Sequence, residues 1–102
     1  MNKYILSIET TTNICSVALF NSMELISIKE DENRNHSAFL GKFVETIFQE
    51  SKVDIDCLDS IALSIGPGSY TGLRIGLSFA KGIAFSLNKP IIPINTIDSI
   101  ND

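Results

Sequence analysis

The sequence predicts an α/β domain: a mixed five-stranded sheet with helices packed on it, in the chain order βββαβαβ. Three observations carry that expectation. The N-terminal third holds three short apolar or alternating runs separated by brief polar turns, as strands of a meander do. Two longer runs with helical periodicity follow, and each lies between strand-like segments. Between the second strand-like segment of that half and its helix stands Gly66-Pro67-Gly68-Ser69-Tyr70-Thr71-Gly72-Leu73-Arg74-Ile75-Gly76, a run of turn-formers where a strand must become a helix.

Element by element, Tyr4–Glu9 is apolar on both faces, the pattern of a central strand. Residues 14–20 alternate Cys15, Val17 and Leu19 against Ile14, Ser16, Ala18 and Phe20. Asn21-Ser22 turns the chain into residues 23–29, where Leu25 and Ser27 alternate with Ile26 and Ile28, completing an antiparallel meander. The polar run Glu30-Asp31-Glu32-Asn33-Arg34-Asn35 ends it, and Asn35 or Ser37 is placed to cap a helix over His36–Ser51. Residues 60–65 form the next strand, 73–87 the second helix and 90–94 the last strand. Two right-handed strand-helix-strand crossovers make parallel neighbours, so Tyr4–Glu9 is central, with the meander strands to one side and 60–65, then Ile91–Ile94, to the other. Thr96 reads as the cap of a further helix; either the chain ends in a frayed turn or, as the missing stop signal favours, it is the first half of something longer.

Composition bounds the function. At 102 residues and 44% hydrophobic content the chain makes one compact domain and not two. A net charge of −4 with eight Lys and Arg argues against an unaided grip on a nucleic-acid backbone, so any RNA connection is expected to be indirect, through a basic partner. Cys15 and Cys57 are isolated thiols with no metal or disulfide spacing, which fits a reduced, cytoplasmic setting. No apolar run approaches the ~20 residues of a membrane span.

The glycine run departs from each phosphate or nucleophile motif at a position that matters. Thr71-Gly72 is followed by Leu73, where a Walker A loop has lysine and a hydroxyl. Gly66, Gly68 and Gly72 give G-x-G-x-x-x-G rather than G-x-G-x-x-G, and about 20 residues on the chain offers Asn88, Lys89 and Pro90 in place of an acidic ribose ligand. Ser69 directly follows Gly68, so there is no nucleophile elbow. Gly66, Pro67, Gly68 and Gly72 are therefore assigned to a structural strand-to-helix turn.

Ile8-Glu9-Thr10-Thr11-Thr12-Asn13-Ile14-Cys15-Ser16-Val17-Ala18-Leu19, then His36-Ser37 opening a helix, then the glycine run, resemble in this order the N-terminal half of the TsaB family. The resemblance covers the whole chain. It implies a ribonuclease-H-like lobe of the actin, sugar kinase and Hsp70 superfamily, the first of two lobes with the C-terminal one absent. It also implies a dimerisation subunit of the machinery that installs threonylcarbamoyl on tRNA adenosine beside the anticodon; older annotation of the family is glycoprotease-like. Implied partners are a TsaD-type catalytic subunit and a TsaE-type ATPase, with a homodimer when alone, and ATP or ADP at the complex interface rather than a cofactor of this chain.

Where the superfamily has an Asp-x-Gly-Thr phosphate loop, this chain has Glu9, Thr10, Thr11 and Thr12, a degenerate version lacking the glycine. The TsaD metal pair His-x-x-x-His is reduced to His36 followed by Leu40. No catalytic residue and no metal are therefore expected, an ATP-using or glycoprotease-like enzyme of the same superfamily being the alternative. Gly72, Gly76, Ala80 and Ala84 recur every four positions as a smooth ridge, beside Leu73 and Leu77, and Phe39 and Phe43 belong to a wide apolar stripe on the first helix. These eight residues are expected to form the partner interface, and a charge at Leu77 or Ala84 to weaken association without unfolding the chain if those positions face outward.

Overall fold

The computed structural model describes residues 2–32, 36–68 and 70–95. Its elements are β1 (Tyr4–Glu9), β2 (Cys15–Asn21), β3 (Glu24–Asp31), α1 (His36–Ser51), β4 (Leu58–Ser64), α2 (Tyr70–Leu87) and β5 (Ile91–Ile94), with a single 3-10 turn at Ile55–Cys57 before β4. The order βββαβαβ stands, and the sheet runs β3-β2-β1-β4-β5. β2 is antiparallel to β1 and to β3, whereas β4 is parallel to β1 and to β5. The central position of β1 follows from its chemistry, since Leu6 and Ile8 are fully buried and only an inner strand has neighbours on both edges.

Boundaries differ from expectation where polar chemistry overrode periodicity. β3 continues through Glu30 and Asp31, because backbone pairing with Ser16 and Cys15 holds the ladder although the side chains are charged. The meander turn lies at Ser22-Met23, with Ser22 in the left-handed region at φ 57°. β4 begins at Leu58, and Asp54 caps the preceding 3-10 turn by accepting from the Asp56 amide at 3.0 Å. α2 begins at Tyr70, ahead of the expected Leu73. Ser37 is the second residue of α1 and so does not cap it, and the other two cap assignments, Asn35 and Thr96, fall outside the described residues.

One core cluster joins Leu6 and Ile8 of β1, Val17 and Leu19 of β2, and Ile61 and Leu63 of β4 with Leu40, Val44 and Ile47 of α1 and Ala80 and Ala84 of α2. Alternation puts those strand residues on one face, so both helices cover the same side of the sheet. Each fully buried aliphatic side chain contributes roughly 1.5–3 kcal/mol. No helix among the described residues is long and apolar enough to cross a membrane.

Candidate functional site: a locked glycine turn and the face it positions

β1 ends in a loop that the sequence marked only as a degenerate phosphate loop, and its threonines turn out to be structural keys. Thr10 and Thr11 are buried, at 0% and 2% exposure. The Thr10 hydroxyl donates to the Gly72 carbonyl in the first turn of α2 at 2.6 Å. Glu9 folds back, its Oε1 accepting from the Thr11 amide at 2.6 Å and the Thr11 hydroxyl at 2.5 Å. Thr12 is exposed and its hydroxyl donates to the Ile14 carbonyl at 3.0 Å.

The glycines meet this loop backbone to backbone. A Cβ on Gly68 would strike the Thr11 carbonyl, one on Gly72 the Thr10 carbonyl, and one on Gly76 the Thr10 hydroxyl. Gly66 has φ +115°, in the region that disfavours side chains, and its bond to Pro67 is cis. The approach surface that a Gly-rich turn would offer a phosphate is thus filled by Thr10 and Thr11, and the residues present do not fit a phosphate there.

This arrangement corrects the expected orientation of the ridge. The four-residue ridge does pack closely, but against its own lobe: Gly72, Gly76, Ala80 and Ala84 are all buried there. The ridge is graded, glycine where α2 crosses the Thr10-Thr11 loop and alanine further along, where Ala80 and Ala84 join the core of Leu63 and its neighbours. Leu73 and Leu77 are half-buried and pack on that core. Ala84 therefore does not face outward, and Leu77 is not free to.

The opposite surface of α2 is what remains open. Leu40 of α1 with Thr71, Arg74, Ile75, Ser78 and Phe79 of α2 line a cleft of about 510 Å³ between the helices. It continues along α2 past Ile55, Gly82, Ile83 and Leu87. Phe39 and Phe43, two of the expected interface residues, stack with ring centroids 6.1 Å apart and are half-buried. Ile75, Phe79 and Ile83, which the sequence did not single out, are half-buried and pack on the edge of the core. The signal that could have placed them was the glycine ridge itself, which forces α2 to turn the other side outward. His36 opens α1, and no cluster of three or more His, Cys, Asp or Glu able to hold a metal occurs among the described residues.

The sequence model of the family described as "TsaD: tRNA N6-adenosine threonylcarbamoyltransferase" matches residues 26–101. The chain belongs to that family. Within it, a Haemophilus influenzae protein named "tRNA threonylcarbamoyladenosine biosynthesis protein TsaB" is 34% identical over 97% of the chain and 42% of its own length. A "tRNA N6-adenosine threonylcarbamoyltransferase" of Chlorobium phaeobacteroides is 33% identical over 87% of the chain and 26% of its own length. Among solved structures, a Pseudomonas aeruginosa protein described as uncharacterized, with similarity to peptidase YEAZ, superposes with a TM-score of 0.84 at 30% identity, over 91% of this chain and 43% of that one. The chain spans less than half the length of the TsaB relative it matches, and it resembles TsaB proteins along nearly all of its own.

Proposed function

We propose that this chain is a lobe of a non-catalytic subunit that binds and activates a TsaD-type threonylcarbamoyl transferase acting on tRNA adenosine beside the anticodon. The observation that carries this reading is the division of labour in α2. One side is locked to the lobe by Thr10, while the other, with α1, leaves an apolar cleft around Leu40, Ile75 and Phe79. A pair of helices on one side of a sheet, with half-buried aromatic and aliphatic residues at their outer seam, is a surface suited to other helices. The names of the relatives support the pathway, and the self-filled loop at Thr10 and Thr11 supports a subunit without phosphate chemistry of its own. ATP or ADP then belongs at the interface with the partner, and a TsaE-type ATPase is a further member of the complex.

The test mixes the protein, as its gene encodes it, with the transferase of the same organism and follows both by sedimentation velocity. A joint species is expected, and tRNA modification should rise with its formation. Two separately sedimenting proteins and an unstimulated transferase would overturn the reading. Stabilisation of the isolated protein by ATP would instead favour a nucleotide-using enzyme of the same superfamily.

A further inference from the structure

We draw no further inference here: the strongest candidate, the sheet face turned away from α1 and α2, where Ile28 and Ile92 stand exposed on one rung with Ala18, Ser7 and Ala62, carries nothing because nothing in the structure shows what covers it.

Discussion

The Thr10 hydroxyl donates to the Gly72 carbonyl at 2.6 Å across 62 positions of sequence, tying the end of β1 to the first turn of α2. A buried neutral hydrogen bond of this kind contributes about 1 kcal/mol. Thr10→Val keeps the shape and removes the donor, so it is expected to lower stability by about 1–2 kcal/mol in urea melts. It should also speed amide exchange at the start of α2. Thr10→Ser keeps the donor and should leave that exchange at the wild-type rate.

Glycine-to-alanine changes separate close approach from ordinary helix chemistry. At Gly68 and Gly72 the added methyl meets backbone carbonyls that cannot move aside, and a loss of about 1–3 kcal/mol or more is expected. At Gly41 and Gly82 a Cβ meets nothing within 4 Å, so alanine should stabilise the helices by roughly 0.5–1 kcal/mol. Thermal melts of the four variants check both signs. Ala84→Glu, which an outward-facing ridge would tolerate, should unfold the lobe, because it places a charge in the core.

Ser60 is 4% exposed and its hydroxyl has no hydrogen-bond partner among the described residues. An unsatisfied buried hydroxyl is destabilising, so Ser60→Ala is expected to be neutral or to add up to about 1 kcal/mol. A melting temperature lowered by several degrees would show that the hydroxyl is satisfied in solution.

Burial, and then the nearby carboxylates Asp31 and Glu9, push the Cys15 thiol from its ordinary 9.0 up to about 11. The sign follows directly. Cys15 contributes its full stability below the unfolded value near 9.0, and that contribution is lost as pH rises through about 11. Wild type should therefore lose on the order of 2–3 kcal/mol relative to Cys15→Ala across that window. At neutral pH iodoacetamide should label the exposed Cys57 and spare Cys15 until the protein unfolds, as read by mass spectrometry.

Much of the fold was legible because its signals are local. The alternation of Cys15, Val17 and Leu19, the double-sided apolarity of Tyr4–Glu9 and the two helical runs fixed the strand order without tertiary information. The role of the small-residue ridge was only half legible. The period of Gly72, Gly76, Ala80 and Ala84 announces a close approach, but a period does not say whether the neighbour is another protein or the same chain. The neighbour is Thr10-Thr11, over 60 positions earlier, and the role of those threonines exists only once β1 and β4 are paired. Phe39 and Phe43 stack half-buried on α1, whose apolar stripe is wider than the core contact of Leu40, Val44 and Ile47 requires.

The central claim, a binding surface without chemistry of its own, is tested most directly by tRNA threonylcarbamoylation with the transferase and the other components supplied, titrated with this protein. Ser78→Trp adds bulk at an exposed position of the cleft, and Glu9→Gln removes a carboxylate charge from the β1 loop. Ser78→Trp should shift half-maximal stimulation to at least tenfold higher concentration and approach the wild-type rate at saturation; Glu9→Gln should follow the wild-type curve. The contradicting result is a Glu9→Gln protein that forms the complex yet leaves the reaction stalled at saturation, since the chain would then supply a reacting group.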